Sequence, residues 1–374
     1  MAKNRNGMGS IRERADGRFE GRYTGPDGRQ HSVFGKTSKE CTTKLKAALA
    51  AVDSGSWTQP NKMTVAQWID LWLDKYCVTV RPSTLRNYTS KMAHVRQSIG
   101  NIKLTSLSVI HLRQLYANIC KYLAQTTCRE IMIIFSSSLN DAVRDKLIPE
   151  NPAKTMNLGK ARPAKEMHIV DRPQFAAFVS AARETPYANE LIFLLLTGLR
   201  IGELLGLKWN NVDLDKGIMR IDRQLVLIDG KYTLAETKNG EARTINLTPE
   251  AVSLLKNQKI RQLEARVKAG KLWTDCGFTF TNAYGDHLLF VTIGKYVRRA
   301  GAAIGISALH PHDLRHSYAV AALRSGMSVK AVQHNLGHAS AAMTLDVYAK
   351  YTDDTGLEAT RLMSVYFSGV LGSN

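Results

Sequence analysis

Alternating apolar and polar residues predict a small antiparallel sheet at the start of the chain. Three alternating runs are separated by two turn sequences: residues 10–14, 18–24 and 30–34, with Ala15-Asp-Gly17 and Gly25-Pro-Asp-Gly28 between them. Asp-Gly and Pro-Asp-Gly between alternating runs are typical of hairpins. Thr37-Ser38 is suited to cap a helix that continues to about Val52. The first 55 residues are therefore expected to form a three-stranded sheet with one helix.

Helical spacing replaces alternation between residues 61 and 148. Thr64 is placed to cap a helix in which apolar side chains recur at i, i+3, i+4 and i+7, namely Val65, Trp68, Ile69, Trp72, Leu73 and Tyr76. Three more helices are predicted, opening at Ser83-Thr-Leu just after Pro82, at Ser108 and at about Gln125. The tryptophan stripe is expected to lie in the core of this helical segment.

Beyond Ile169 the pattern is mixed, with helices and short strands. Helices are predicted near 172–183, 187–197, 201–207, 249–268, 290–303, 312–325, 328–336 and 340–349, and strands near 218–228, 231–236 and 242–247. A basic segment at 151–167 that contains proline and glycine is the best candidate for a linker between domains. The fold class is therefore multi-domain α+β, with a mostly helical last part that contains a small antiparallel sheet.

The distribution of charge along the chain indicates the kind of partner that this protein binds. The chain has 51 Lys and Arg against 32 Asp and Glu, a net charge of +19. Residues 1–46 hold 11 basic and 5 acidic side chains and residues 61–150 hold 12 and 6, whereas the residues after 167 hold 24 and 19. Clustered positive charge favours a polyanionic partner, because Lys and Arg displace counterions from phosphates. DNA or RNA is the expected partner.

Other classes of protein are disfavoured by the composition. No apolar run approaches the roughly 20 residues that cross a bilayer, and no apolar segment typical of a cleaved signal opens the chain. The five cysteines are scattered and never spaced C-x-x-C, which is typical of reduced thiols. We therefore expect a cytoplasmic protein without membrane contact. Walker, H-E-x-x-H and G-x-S-x-G motifs are missing from the sequence, so nucleotide hydrolysis, zinc proteolysis and serine hydrolysis have no motif support.

Three short segments concentrate the residues that could do chemistry. They are Thr197-Gly-Leu-Arg200-Ile-Gly-Glu-Leu204, His310-Pro-His312-Asp-Leu-Arg315-His316-Ser317, and Leu336-Gly-His338 followed by Met343-Thr-Leu-Asp-Val-Tyr348. These segments resemble the sequence boxes of the tyrosine recombinase (phage integrase) family in both order and spacing. The intervals are 112 residues from Arg200 to His312, three to Arg315, 23 to His338 and ten to Tyr348.

The resemblance extends over the whole chain and implies its domains. Residues 1–58 resemble the arm-type DNA-binding domain of integrases from temperate phages and conjugative transposons. Residues 61–150, which include Arg81-Pro-Ser-Thr-Leu-Arg-Asn-Tyr88, are similar to the core-binding domain. A basic linker at 151–167 would then lead to a catalytic domain with a C-terminal tail at 168–374. A three-stranded sheet is narrow enough to enter a major groove, as other β-ribbon readers do.

The chemistry of these residue types agrees with the resemblance. Cleaving a phosphodiester without metal or ATP requires cations for the transition state, a nucleophile and an acid for the leaving 5′-oxygen. Arg200 and Arg315 offer guanidinium forks for two nonbridging oxygens, and His312 would share the helical face of Arg315. By resemblance, His338 binds a phosphate oxygen and Tyr348 is the nucleophile that forms a 3′-phosphotyrosine.

For three residues of this predicted site, the sequence leaves an alternative open. The resemblance places the general acid on a β-hairpin before the His-Arg box, where Lys238 is the candidate and Lys231 the competitor. Tyr351 is the alternative nucleophile, but the ten-residue offset from His338 favours Tyr348. Glu203 either buttresses the arginines or forms an ordinary buried helix salt bridge.

No cofactor or metal is expected for this reaction. The pair His312 and His316 could suggest a metal site, but neither Cys nor a carboxylate nearby in sequence completes one. His310 and His316 are expected to be structural rather than catalytic.

The family resemblance also implies partners. These are double-stranded DNA with core-type and arm-type sites, other copies of the chain in a tetramer on DNA, and an excisionase or DNA-bending protein. The rival interpretations are a catalytically inactive DNA-binding regulator, a chromosome-dimer resolving recombinase and a type IB topoisomerase. The sheet module at the start favours integration and excision of a mobile element over a chromosome-dimer resolving recombinase and over a type IB topoisomerase.

Overall fold

The computed structural model divides the chain into two compact units, residues 1–164 and 165–374. It describes residues 9–55, 57–58, 61–159, 167–228, 230–237 and 240–338, and beyond these only positions 340, 342, 345, 360 and 364. None of the described helices is both long and apolar enough to cross a bilayer.

The first unit opens with the sheet and helix that the alternation predicts. Strands β1 (Ser10–Glu13), β2 (Phe19–Thr24) and β3 (Gln30–Gly35) pair antiparallel in that order, and α1 (Ser38–Asp53) covers one face. Gly35 lets α1 approach closely, because a Cβ there would lie 2.5 Å from the backbone nitrogen of Cys41. The predicted module is confirmed, including the cap of α1 by the Thr37 side chain.

Four helices form the rest of the first unit. They are α2 (Val65–Leu71), which continues as a π-helical turn through Tyr76, α3 (Pro82–Ile99), α4 (Val109–Ile119) and α5 (Gln125–Arg144). Trp68 and Trp72 are buried in the core between these helices, as predicted. The indole of Trp72 donates to Asp141 Oδ2 at 2.8 Å, which satisfies its only polar atom. Helix α3 begins at Pro82 itself, since proline needs no partner for an N–H in the first turn.

The first part of the predicted linker packs on α5. The Asn151 side chain donates to the Ser136 carbonyl at 2.9 Å, and Arg129 Nη1 donates to the carbonyls of Leu158 and Gly159 at 2.9 and 2.8 Å. Residues 160–166 lie outside the described residues. The basic composition of the segment, with its proline and glycine, thus predicts a boundary but does not show that its first nine residues are held by side chains of a helix.

The second unit is mostly helical around two small sheets. Its helices are α6 (Arg172–Arg183), α7 (Ala188–Thr197), α8 (Ile201–Gly206), α9 (Pro249–Ala269), α10 (Phe290–Ala303), α11 (Pro311–Arg324) and α12 (Val329–Leu336). Its strands are β4 (Val212–Asp213), β5 (Ile218–Ile221), β6 (Arg223–Ile228), β7 (Lys231–Glu236) and β8 (Arg243–Asn246). The sheet orders are β4-β5-β8 and β6-β7, both antiparallel. The multi-domain α+β fold class is confirmed.

One predicted strand is two strands in the structure. The run 218–228 is interrupted at Asp222, so that β5 pairs with β8 while β6 pairs with β7. The Asp222 carboxylate accepts a hydrogen bond from Asn211 Nδ2 at 2.8 Å, which places it outside both ladders. The helix predicted near 340–349 falls mostly outside the described residues.

We expect the Phe135→Ala substitution to destabilise the first unit by about 3–5 kcal/mol, because it opens a cavity in a close-packed core. Phe135 on α5 is completely buried, whereas Ile133 two residues earlier is 60% exposed. Ile133→Ala is therefore the matched control and should change the free energy of unfolding by less than about 1 kcal/mol. Urea unfolding followed by tryptophan fluorescence measures both; equal effects would contradict the placement of Phe135 in the core.

Candidate active site

A glycine turn brings Arg200 to the start of α8. Helix α7 ends at Thr197, and Gly198 follows with φ of 63°, in the left-handed region. A Cβ on Gly198 would lie 2.6 Å from the Tyr318 ring, so both conformation and packing require glycine. Arg200 then occupies the N-cap position of α8. Its backbone N–H donates to Glu203 Oε2 at 3.0 Å and its Nη1 to Glu203 Oε1 at 2.9 Å.

The C-terminal end of α12 receives three arginine side chains on consecutive carbonyl oxygens. Arg243 Nε donates to the carbonyl of residue 335 at 2.9 Å, Arg315 Nη2 to that of residue 336 at 2.6 Å, and Arg200 Nη2 to that of residue 337 at 3.0 Å. The last carbonyls of a helix lack intrahelical partners and carry partial negative charge. This helix end therefore gathers three side chains that are far apart in sequence, and His338 follows it directly.

Glu203 and Arg243 form a buried, two-pronged ion pair at the base of this cluster. Arg243 Nη1 and Nη2 donate to the two carboxylate oxygens at 2.9 and 2.7 Å, and both side chains are almost fully buried. Burial opposes ionisation of Glu203, but the hydrogen bonds and charge of Arg243, with those of Arg200, outweigh it and lower its pKa. Glu203 is therefore a carboxylate that binds two arginines of the cluster.

Arg243 is the residue that the sequence analysis did not select. It lies on β8, where the alternating burial pattern places it on the same side as the buried Ile245. A charged residue at a core position of a short strand was the available signal, because such a residue requires a buried partner. The partner, Glu203, is 40 positions earlier in the sequence.

Arg315 is the most deeply buried of the three arginines. Its side chain extends inward from α11, where Nη1 donates to the Gly198 carbonyl at 3.0 Å. Its Nε has no hydrogen-bond partner among the described residues. Loss of hydration, followed by the charge of Arg200, lowers the pKa of Arg315 to about 9. The guanidinium thus remains charged at neutral pH while one donor is unsatisfied.

His312 and His338 have different environments. His312 is exposed, and its ring lies edge-to-face with that of His316 at 4.6 Å between centroids. His338 is half-buried, and burial together with the charges of Arg315 and Arg200 lowers its pKa to about 4. At neutral pH its imidazole is therefore uncharged and able to donate one hydrogen bond. His310 caps α11, since its backbone N–H donates to Asp313 Oδ2 at 2.8 Å.

A cavity of about 330 Å³ opens beside the arginine cluster. Arg200, Arg243 and His338 line it on one side. Thr237 and Glu241 line it from the turn between β7 and β8. Three guanidiniums and the lining Lys330 outnumber the carboxylates of Glu203 and Glu241, which leaves this site with net positive charge. An anion of phosphate type fits that charge.

The structure does not describe every predicted site residue. It brings Arg200, Arg315 and His338 together at the end of α12, and it places His312 one turn before Arg315 on α11. Lys238 and Tyr348 fall outside the described residues, as does Tyr351. Residues 237 and 240, on either side of the undescribed pair 238–239, are joined by a hydrogen bond of 2.9 Å from Gly240 N to the Thr237 carbonyl.

Two family models match the chain. The model described as the Phage integrase family matches residues 170–354, and the model described as the Phage integrase N-terminal SAM-like domain matches residues 64–119. Together they match more than half of the chain, in the order that the motifs predict. The chain belongs to the phage integrase family of tyrosine recombinases, which confirms the resemblance seen in its motifs.

Named relatives and solved structures agree with that assignment. The chain is 26% identical over 345 residues to a XerC-like tyrosine recombinase of Caldanaerobacter subterraneus, covering 84% of this chain and 86% of the relative. It is 24% identical over 362 residues to the integrase of Mycobacterium phage D29, covering 92% and 93%. The Tn1549 transposon integrase, solved with circular intermediate DNA, superposes with a TM-score of 0.69 at 22% identity, covering 80% and 99%. A lambda integrase tetramer on a Holliday junction gives 0.60 at 19%, covering 92% and 96%.

Replacing Glu203 by Gln should destabilise the second unit by about 3–5 kcal/mol, because it leaves a buried Arg243 without its counter-charge. The pKa of Glu203 is lowered in the folded state, so its contribution is complete above the ordinary carboxylate pKa of about 4 and is lost as the pH falls through the lowered value. Urea unfolding at pH 7 and in acid measures this difference. The exposed Glu264→Gln on α9 is the control, and a Glu203→Gln penalty that stayed constant into acid would contradict the ion-pair assignment.

The His338 imidazole should titrate near pH 4 in the protein without DNA. Replacing Arg200 with Met should raise that pKa toward the ordinary value of about 6.5, because a nearby positive charge is removed. Histidine side-chain resonances followed by NMR from pH 3 to 8 test both statements. Arg172→Met, an exposed cation on α6, is the matched control and should leave the His338 titration unchanged.

Proposed function

We propose that this protein is a site-specific DNA recombinase that cuts and rejoins DNA through a 3′-phosphotyrosine, and that it integrates and excises a mobile element. The observation that carries the proposal is the cluster of Arg200, Arg315 and Arg243 around one buried carboxylate, with His338 beside it and a cavity in front. In a chain of this family, such a cluster is a site for the scissile phosphate.

Arg200 and Arg315 neutralise the phosphate as it becomes pentavalent. Each already donates to backbone carbonyls, and both reach the carbonyl of Leu336, at 3.4 and 2.6 Å. Their guanidiniums therefore lie next to each other before DNA arrives, and no reorganisation is needed when negative charge develops. The neutral His338 donates a hydrogen bond to a phosphate oxygen, and the exposed His312 exchanges a proton with the nucleophile.

Lys238 is the proposed general acid for the leaving 5′-oxygen. Thr237 and Glu241, which flank it along the chain, both line the cavity. The competitor Lys231 pairs with Ile228 at the opposite end of the β6-β7 hairpin, six residues before Thr237. An extended strand of that length covers about 20 Å, and this separation from Thr237 supports Lys238 over Lys231.

The covalent steps balance without a cofactor. The Tyr348 oxygen attacks phosphorus and loses its proton, the P–O5′ bond breaks, and Lys238 gives a proton to the leaving oxygen, so that a 3′-phosphotyrosine and a 5′-hydroxyl result. A 5′-hydroxyl from another strand then attacks the phosphotyrosine and releases Tyr348. Because one phosphodiester replaces another through an ester, ligation needs neither ATP nor a metal ion.

DNA contacts are proposed to be divided among the domains. The arm-type domain at 1–58 would bind one class of site, and the core-binding domain at 61–150 and the catalytic domain at 168–374 would bind the duplex at the crossover site. A tetramer on two sites is proposed by analogy with the lambda integrase tetramer solved on a Holliday junction. An excisionase or bending protein would act with it on DNA in a bacterial cytoplasm.

Tyr348→Phe should abolish covalent DNA attachment, because phenylalanine lacks the attacking oxygen. The wild type and the variant are expressed in bacteria that carry a genomic DNA library, denatured in detergent and captured, and any attached DNA is sequenced. Wild-type adducts are expected at a few discrete sites. Tyr351→Phe is the matched control and should keep them.

Two outcomes would contradict the assignment of Tyr348. Adducts that persist in Tyr348→Phe but vanish in Tyr351→Phe would make Tyr351 the nucleophile. The wild type binding DNA stringently without any adduct would favour the DNA-binding regulator.

A further inference from the structure

One face of the N-terminal sheet is open, and apart from the exposed Phe34 its side chains are charged or polar. The opposite face, with Gly21 and Val33, packs against Cys41 and Leu45 of α1. On the open face the register places Arg12 opposite Glu20, and it places Arg22 opposite Ser32, with Phe34 beside Glu20 on the third strand. This set of five residues, which spans all three strands, is called the arginine array below.

Glu20 is the centre of the arginine array. Its carboxylate accepts from Arg12 Nε at 2.6 Å, Arg22 Nε at 3.2 Å and Ser32 Oγ at 2.8 Å. These hydrogen bonds, led by that of Ser32, lower the pKa of Glu20 to about 2, so the carboxylate is ionised at every physiological pH. Its side chain is only 5% exposed. A negative group is thus enclosed by the cations on a face that otherwise suits a polyanion.

The hydrogen-bond geometry leaves the outer ends of both arginines available. Glu20 engages the Nε of Arg12 and of Arg22, and no Nη atom of either is hydrogen-bonded to a described residue. The two side chains are 56% and 37% exposed. A guanidinium held at Nε presents its two Nη donors in a fixed direction, which reduces the side-chain entropy lost on binding.

The chemistry of such a pair indicates its ligand. Two Nη donors in one plane match the O6 and N7 acceptors of guanine in the major groove, the commonest specific contact of arginine with DNA. A surface that needed only phosphate affinity would gain nothing from Glu20, because each carboxylate cancels one positive charge. The buried acid is therefore better explained by orientation of its arginines than by charge.

We propose that Glu20 is a positioning residue that holds Arg12 and Arg22 to read guanines in the major groove of a second DNA site, distinct from the crossover site. The proposal rests on the proposed function, since it needs a recombinase that binds DNA through its N-terminal sheet. It goes further by naming the residues that give this sheet sequence specificity. It separates them from Arg18, whose Nη2 as well as its Nε is engaged by Asp16, so that Arg18 does not present two available Nη donors.

The test begins with the full-length wild-type protein and a library of random duplexes. Bound duplexes are sorted into those that form a covalent adduct and those that bind without being cut. The second class should share a guanine-containing sequence. Failure of adduct formation would count against the proposed recombinase chemistry, whereas absence of a shared sequence in the uncut class would overturn the arginine-array proposal alone.

If Glu20 positions the arginines, Glu20→Gln weakens binding to the selected duplex. If Glu20 acts only through its charge, the same substitution strengthens that binding. The variant gains one net positive charge, so binding to a scrambled duplex should stay equal or become tighter. Binding to the selected duplex should weaken about tenfold or more, within the range for one guanine contact. Dissociation constants at several salt concentrations measure both. Tighter binding to both duplexes would show that Glu20 acts only through charge and would overturn the proposal.

Further variants separate positioning from folding. Arg12→Lys and Arg22→Lys keep the charge but remove the guanidinium fork, and each should weaken selected binding as Glu20→Gln does. Combined with Glu20→Gln, neither should add its full effect, because the carboxylate acts through these arginines. Arg18→Lys is the matched control and should change binding to neither duplex. Additive losses in the double variants would contradict the proposal.

If Glu20→Gln unfolds the sheet, Ser32→Ala replaces it as the test variant, because it removes only one hydrogen bond to the Glu20 carboxylate.

Discussion

The candidate active site depends on the hydrogen bonds and ion pairs of the Glu203 carboxylate. This carboxylate accepts four hydrogen bonds, two from Arg200 and two from Arg243, and so connects α8 with β8. A buried carboxylate and guanidinium offset their loss of hydration only when the geometry is good and the remaining donors are satisfied. Here a backbone carbonyl at the end of α12 accepts from the remaining Nε donor of Arg243. Electrostatic interactions, and not apolar packing alone, therefore hold strand β8, the start of α8 and the end of α12 together.

The same arrangement explains how positive charge is kept in place without DNA. Burial, and after it the charges of neighbouring arginines, lower the pKa values of Arg315 and His338, so both effects oppose positive charge at this site. Backbone carbonyls hold the guanidiniums at fixed positions and carry only partial charge, so a phosphate can still bind strongly. The unsatisfied Nε of Arg315, unpartnered within the described residues, is consistent with a site that is completed by its ligand.

Two motif glycines have a steric explanation. Gly198 in Thr-Gly-Leu-Arg and Gly337 in Leu-Gly-His both have positive φ and end helices α7 and α12. A Cβ at Gly337 would lie 2.9 Å from Arg243 Nη1, and a Cβ at Gly198 would collide with Tyr318. Each glycine therefore lets a helix end where an arginine arrives. Each short motif therefore contains a glycine that the backbone conformation requires, in addition to the side chains that are predicted to react.

Local patterns in the sequence determined the elements, because hairpin turns, caps and periodicity depend on neighbours along the chain. The three-stranded sheet and the tryptophan-lined helices followed from them. Arg200, His312, Arg315 and His338 were selected through the resemblance of their motifs to those of a known family. The contacts between residues that are distant in sequence are seen only in the tertiary structure. The pairing of Arg243 with Glu203, 40 positions away, and the meeting of three arginines at α12 are examples. Such contacts depend on how helices and strands pack, and one sequence has no local signal for that.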